Sequence, residues 1–242
     1  MKYVILSDIH SNLEAFEAVE KAFEAQKVGE NIICVGDTVG YGADPNECVR
    51  KIASLNAKNI LGNHDAAVID KTDITYFNEV AKDAVYWTVD NLNTSSRSYL
   101  EKLELIYDAD PFTVVHGTLH NPEEFIYMMG VQEALRTFGI MERKICFIGH
   151  SHVPGVFVLK EEEVSYVEPG KIKLEKDAKY IINAGSVGQP RDGDNRACYC
   201  IYDSEKEEIN FYRVEYDIKS AQKRILDAGL PRPLAERLGY GW

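Results

Sequence analysis

The chain has 242 residues, of which 45% are apolar and 27% charged, values that fit a folded globular protein and exclude disordered, collagen-like and coiled-coil chains. Its 39 acidic residues against 27 basic ones leave a net charge of −12, which speaks against a surface that neutralises nucleic-acid phosphates or anionic lipid. Any phosphate this protein handles has to be attracted by something other than net charge.

In chain order, Met1-Lys2 runs straight into the apolar segment Tyr3–Leu6, too short for a signal peptide or a membrane span, so a cytoplasmic location is the expectation. Leu13, Phe16, Val19 and Phe23 share one face of a helix whose opposite face carries Glu14, Glu17, Lys21 and Glu24, with Ser11 and Glu14 spaced as a capping box. A second strand is expected over Asn31–Val35. A second helix follows, with Asp44 as N-cap, Pro45 at its first position and Glu47 in its first turn. Lys58–Leu61 reads as a third strand, and strand alternating with helix implies parallel pairing.

From about 78 to 105 the chain is helical and rich in Tyr, Trp and Asn, a helical cap or insertion that interrupts this alternation within one domain spanning 1–242. Its aromatics Tyr86, Trp87 and Tyr99 are candidates for selecting the substrate. Further strands are expected at Phe112–Val115, Ile145–Ile148, Val156–Leu159, Tyr180–Ile182, Ala197–Tyr202 and Ile209–Val214, the later ones antiparallel, before closing helices at Ile218–Ala228 and Leu234–Leu238. The result is an α/β domain with mixed sheets. The five cysteines form no CxxC pair and read as small buried apolar residues.

The chemistry sits where these apolar runs end. Leu6 leads into Ser7-Asp8-Ile9-His10, Val35 into Gly36-Asp37, Leu61 into Gly62-Asn63-His64-Asp65, Val115 into His116-Gly117, and Ile148 into Gly149-His150-Ser151-His152. Carboxyl ends of parallel strands converge on one crevice, so groups far apart in sequence meet there. Asp8, His10, Asp37, Asn63, His116, His150 and His152 are too many ligands for one ion. With one carboxylate shared they suit two, and Asp37 is the candidate bridge because the Asp8-x-His10 spacing ties Asp8 to the ion that His10 holds. Imidazole with carboxylate and amide oxygen suits Mn, Fe, Zn, Co or Ni better than Mg, with manganese the first to assay. Taken singly, Asp-x-His is a turn and Gly-Asn-His-Asp a loop before a helix. The joint pattern is what points to metal, since five of the 6 histidines follow apolar runs.

In this order the motifs resemble the calcineurin-like metallophosphoesterase superfamily: Asp-x-His, Gly-Asp, Gly-Asn-His-Asp, His and Gly-His-x-His, running from Asp8 to His152. Gly185-Ser186-Val187-Gly188-Gln189-Pro190-Arg191 and Ala228-Gly229-Leu230-Pro231 look like its small prokaryotic, diadenosine-tetraphosphatase-like branch. The resemblance implies a four-layer α/β-β/α sandwich of two mixed sheets with a dinuclear site between loops. It puts Asp8, His10, Asp37 and His152 on one metal and Asp37, Asn63, His116 and His150 on the other, and leaves His64 near the leaving group, oriented by Asp65. The implied reaction is hydrolysis of phosphomonoester, phosphodiester or dinucleoside polyphosphate bonds by in-line attack of a metal-bridging hydroxide. Two divalent ions against two carboxylates would make a cationic pocket in an acidic protein.

The expected partner is a small phosphorylated substrate, nucleotides included, and neither nucleic acid nor a membrane. Arg191 is a candidate fork for phosphate oxygens, the alternative being an ion pair with Asp192 or Asp194. Asn12 is a candidate phosphate contact or a capped-helix residue, Tyr41 a base-stacking or a packed loop aromatic, and His120 is expected in solvent. The run Gly36-Asp37-Thr38-Val39-Gly40-Tyr41-Gly42 lacks the Arg of the protein-phosphatase motif Gly-Asp-x-Val-Asp-Arg-Gly, which favours small-molecule substrates. The competing reading is a binding scaffold that kept the fold and lost catalysis, as the retromer subunit of this superfamily has. His64 and the full ligand set speak against it.

Overall fold

A computed structural model describes all residues 1–242. Alternation along the first strand, β1 (Lys2–Leu6), explains why the sheet it joins is buried on both faces. Val4 and Leu6 point to one cluster with Phe16, Val19 and Phe23 of α1 (Leu13–Ala25), while Ile5 points the other way into a second cluster between two sheets. The first sheet runs β3 (Lys58–Asn59), β2 (Ile32–Cys34), β1, β11 (Ala197–Asp203), β12 (Glu208–Val214), β9 (Lys171–Lys173). The second runs β4 (Ile106–Ala109), β5 (Phe112–Val115), β6 (Ile145–Ile148), β10 (Lys179–Asn183), β7 (Gly155–Lys160), β8 (Glu163–Val167).

Both sheets are mixed. β1, β2 and β3 pair in parallel, as do β5, β6 and β10, and the remaining pairs are antiparallel. Between the sheets Ile5, Ile33 and Tyr202 meet Phe112, Phe147 and Ile182. Phe147 is fully buried there, so Phe147→Ala would cost about 3–5 kcal/mol. Outside, α1 and α2 (Pro45–Ser54) cover the first sheet and α6 (Val131–Ile140) the second, giving four layers. All five cysteines are free and buried. No helix is long and apolar enough to cross a membrane.

The helical segment resolves into α4 (Glu79–Asn91) and α5 (Thr94–Leu100), and the chain leaves helix before 105. Ala81 and Ala84 of α4 pack on α7 (Ile218–Asp227) and α8 (Arg232–Leu238), while Val85 and Leu100 pack on α3 (Asn63–Val68). Trp87 donates its indole N–H to the Ala228 carbonyl at 2.9 Å and so ties α4 to the end of α7.

Three local expectations are corrected. Asn12, not Ser11, caps α1: its Oδ1 accepts from the Ala15 amide at 3.1 Å. The chain passes through left-handed φ at His10 and Ser11, which aims His10 at the site and delays the helix by one residue. Asp44 occupies the N-cap position of α2 without capping it, because its carboxylate is paired with Arg224 of α7. Second strand and third strand are also shorter than expected, since Val35, Ile60 and Leu61 already belong to the loops that carry the site.

Candidate metal centre

The candidate ligands leave the ends of β1, β2, β5 and β6, and Asn63 opens α3, so they gather above one edge where the two sheets meet. All seven are buried, between 0% and 7% exposed. Five of them, Asp8, His10, Asp37, His150 and His152, have φ between 50° and 67°, a left-handed conformation that non-glycine residues adopt at a cost. Close approach of the loops is what requires glycine beside them. A Cβ on Gly149 would stand 1.9 Å from Ser7 Oγ and 2.6 Å from Asp8 Oδ2, and one on Gly62 would stand 2.1 Å from Asp37 Oδ1.

Backbone carbonyls set the histidine tautomers. His10 Nδ1 donates to Val39 O at 3.1 Å, His116 Nδ1 to Val35 O at 2.7 Å, and His152 Nδ1 to Gln189 O at 2.6 Å, because a carbonyl can only accept. Each Nε2 is thereby left as a lone pair facing the site. His10 Nε2 and His152 Nε2 lie 3.1 Å apart, and His116 Nε2 lies 3.1 Å from Asn63 Oδ1. Each carboxylate has one oxygen held and one aimed inward. Asp8 Oδ2 accepts from Ser7 Oγ at 2.6 Å and the His150 amide at 3.0 Å, while Asp37 Oδ1 accepts from the His64 amide at 2.8 Å. Asp8 Oδ1 sits 3.2 Å from His152 Nε2, and Asp37 Oδ2 sits 3.2 Å from His116 Nε2 and 3.6 Å from His10 Nε2. Asp8 Oδ1 and His150 Nε2 are buried without any partner.

Acceptors crowded together without donors repel one another unless a cation lies among them, so this donor set fits divalent metal. Asp8, His10 and His152 form one group within reach of a single ion, and Asp37, His116 and His150 another. Without metal, protons must serve. Burial lowers the pKa of His116, but Asp37 beside it outweighs this and lifts it to about 9. Burial pushes His150 down to about 3 and His152 to about 4. Burial alone would raise Asp8 and Asp37, yet His152 and His116 respectively hold them well below the ordinary carboxylate range.

His64 is brought into the same cluster, in reach of His10 and Asp37. Its Nδ1 is buried and unpartnered against Gly40, and burial depresses its pKa. The expectation that Asp65 orients His64 is corrected. Asp65 instead accepts from the backbone amides of Thr38 at 3.2 Å, Val39 at 3.0 Å and Gly62 at 3.3 Å, fixing the Asp37 loop against the Asn63 loop. Burial and the charge of Asp37 raise it to about 7 against those three donors. Of the two readings of Asn12, the structure favours the helix residue over the phosphate contact: with its oxygen capping α1, its amide donates to Gly188 O at 2.8 Å and Tyr216 Oη at 3.3 Å, so both amide hydrogens are committed.

Arg191 is free of the ion pairs weighed for it: Asp192 is taken by Arg213, and Asp194 by Arg196 and Arg213. His120 is in solvent. A cleft of about 770 Å³ opens from the centre, lined by His64, Asn63 and His150 and by the aromatics Tyr41, Tyr76, Phe77, Phe125 and Tyr127. Tyr86, Trp87 and Tyr99 do not line it, because Trp87 and Tyr99 are packed between elements and Tyr86 faces solvent elsewhere. Sequence reasoning missed Phe77 and Tyr127, whose rings lie 5.2 Å from His64 and 3.7 Å from His150. It also missed Gln189, whose carbonyl orients His152. Phe77 and Tyr127 sit in loops without a chemical motif, and Gln189, though inside the Gly185–Arg191 motif, acts through its backbone carbonyl, which no residue type announces.

Two sandwiched mixed sheets with clustered Asp, Asn and His at their strand-end loops define a metal-dependent phosphoesterase. The chain belongs to the calcineurin-like phosphoesterase superfamily, whose domain model matches residues 1–207; α7 and α8 lie beyond the match. It is 42% identical to an uncharacterized protein of Methanocaldococcus jannaschii over 98% of this chain and 97% of that protein. It is similar to a metallophosphoesterase from Sphaerobacter thermophilus at 38% identity and a TM-score of 0.88, covering 100% of this chain and 99% of that one. A hypothetical protein of Pyrococcus horikoshii, 21% identical, shares the fold at a TM-score of 0.78 over 100% of this chain and 98% of its own.

Proposed function

We propose that the protein is a dinuclear-metal-dependent hydrolase of phosphomonoester, phosphodiester or dinucleoside polyphosphate bonds. The observation that carries this reading is the convergence of carboxylate, amide and imidazole lone pairs, with Asp8 Oδ1 and His150 Nε2 buried and unpartnered. Asp8, His10, Asp37 and His152 would hold one ion and Asp37, Asn63, His116 and His150 the other. When bound, two such ions supply an activated water and neutralise charge on the phosphoryl oxygens.

The protein's own part is positioning and proton transfer. The carbonyls of Val35, Val39 and Gln189 fix three imidazoles, and Asp65 locks the loop that carries Asp37 against the loop that carries Asn63. With Nδ1 of His64 sealed against Gly40, Nε2 is the nitrogen left to face the cleft. Burial keeps His64 neutral at rest. A docked phosphoryl group is the negative charge that draws a proton from solvent onto His64, and His64 then gives that proton to the leaving oxygen as its bond to phosphorus breaks, returning to the neutral form. The aromatic lining of the cleft suits a nucleoside or aryl leaving group.

The test is a panel of nitrophenyl phosphate, its bis-ester, cyclic nucleotides and dinucleoside polyphosphates, run with manganese and after chelation. Metal-dependent turnover of at least one class, lost on chelation, is expected. A protein that retains two metals and turns over none of them would be the scaffold and not the enzyme.

A further inference from the structure

The C-terminal turn reaches back to the loop that carries Arg191. Beyond α8 the amides of Tyr240, Gly241 and Trp242 all donate to the Arg237 carbonyl, curling the chain over. Gly193 then donates to Gly241 O at 3.0 Å, and Asn195 Nδ2 to Gly239 O at 2.9 Å. These bonds fasten the last turn of α8 onto the loop that carries Arg191. Two guanidinium groups come together as a result. Arg191 Nη2 and Arg237 Nη1 donate to one and the same acceptor, Gln189 Oε1, at 3.0 and 3.1 Å. Both stand over the Tyr41 ring, 5.8 and 6.0 Å from its centre, and that ring lies 4.6 Å from His10 and 4.3 Å from His64.

A pair of cations sharing one neutral oxygen is an unusual arrangement in a chain with a net charge of −12. The neighbouring carboxylates Asp192 and Asp194 are committed to Arg213 and Arg196, and neither Arg191 nor Arg237 has a salt bridge. Arg191 Nε is buried with no partner at all. Burial, and then the charge of Arg191, lower the pKa of Arg237. Like charges held together without a counter-ion disfavour each other, and an anion placed between them removes that cost while using the fork geometry of both groups.

We infer that Arg191 and Arg237 form a subsite for a second anionic group of the substrate, with Gln189 as the residue that positions both. Preferred substrates then carry two linked phosphoryl groups, the reacting one at the Asp8 to His152 cluster and its neighbour on the guanidiniums. Tyr41 lies beneath the cations and beside His10 and His64, so it joins the two positions in one wall. This inference rests on the phosphoesterase reading for the reacting group alone.

The experiment is calorimetric titration of the metal-loaded, full-length protein with methylenediphosphonate and with orthophosphate. The wild type should prefer the diphosphonate by at least about tenfold, the worth of one charge-assisted contact. Arg237→Gln and Arg191→Gln should each remove most of that preference, whereas Arg232→Gln, an exposed arginine of the same helix paired with Glu236, should leave it unchanged. Should a glutamine variant melt early, Arg237→Lys keeps the charge but not the fork and should still weaken the preference. A wild type with no preference, or one unaffected by both glutamine changes, overturns the subsite. Nitrophenyl phosphate turnover is read in parallel. No turnover of any member of the phosphoester panel, with the arginine-dependent preference intact, would overturn the proposed function and leave the subsite, and turnover without the preference would do the reverse.

Discussion

The floor and the rim of the cleft are built on different terms. Floor groups come from loops at strand ends and the start of α3, are at most 7% exposed, and in Asp8, His10, Asp37, His116 and His152 the second polar atom is tied to backbone. Rim groups come from elsewhere: Phe77 precedes α4, Tyr127 follows a short turn and is 45% exposed, and behind them Arg237, in the last turn of α8, stands over the cleft-lining Tyr41. The difference teaches where accuracy is needed. Reacting atoms and ligands must be held to fractions of an ångström, so the sheets and left-handed loops fix them, while recognition of the rest of a substrate tolerates helices and half-exposed side chains.

Changes to the floor should therefore be felt most. Asp37→Asn should lower kcat/KM at least about a hundredfold and reduce metal content, because Asp37 Oδ2 faces both His10 and His116. Elemental analysis alongside kinetics checks this. His64→Ala should lose about a hundredfold or more in turnover while keeping its metals, with the greatest loss for poor leaving groups. Loss of an ion in that variant would move His64 into the ligand set, sharpening the border between floor and rim.

Acid should damage the metal-free floor. His64, His150 and His152 have depressed pKa values when folded, so between about 4 and 6.5 the unfolded chain binds more protons and stability is lost as pH falls. Asp65, raised to about 7, works against this in the same window, but one group does not offset three. Above 6.5 the raised pKa of His116, about 9, makes its contribution fade as pH rises through that value. Melting temperature of the chelated protein should peak near neutrality and fall more steeply on the acid side. Metal should flatten the profile.

Rim and scaffold changes should separate cleanly. Phe77→Ala should reorder substrates by several-fold in kcat/KM, since Phe77 lines the cleft beside His64. Trp87→Ala should cost about 3–5 kcal/mol, seen as a lower melting temperature, without reordering them. Asn12→Ala, the smallest effect, should cost about 1 kcal/mol for the lost cap and leave KM unchanged.

The convergence of the floor groups was legible in the sequence because each follows an apolar, β-branched run, and the topology then brings those run ends together. Direction was not legible. Nothing local says that Asp65 turns to the Thr38, Val39 and Gly62 amides and away from His64, since that depends on two loops 27 residues apart. β4, β8 and β9 escaped notice because as edge or near-edge strands they carry charges such as Asp108, Glu163 and Lys171 where a buried strand carries Val or Ile. α3 has only six residues, too few for a periodic pattern. Arg237 could not be linked to Arg191 from sequence, because their meeting depends on how the C-terminal turn docks on Gly193 and Asn195.

In the proposed enzyme the seven floor residues serve two ions with Asp37 between them. Stepwise reconstitution of the chelated protein, with metal bound per chain and phosphoester turnover followed together, tests this most directly. Turnover should rise through the second equivalent and level off at two ions per chain, and Asp37→Asn should stop short of two. Saturation of both binding and turnover at one ion per chain would contradict it.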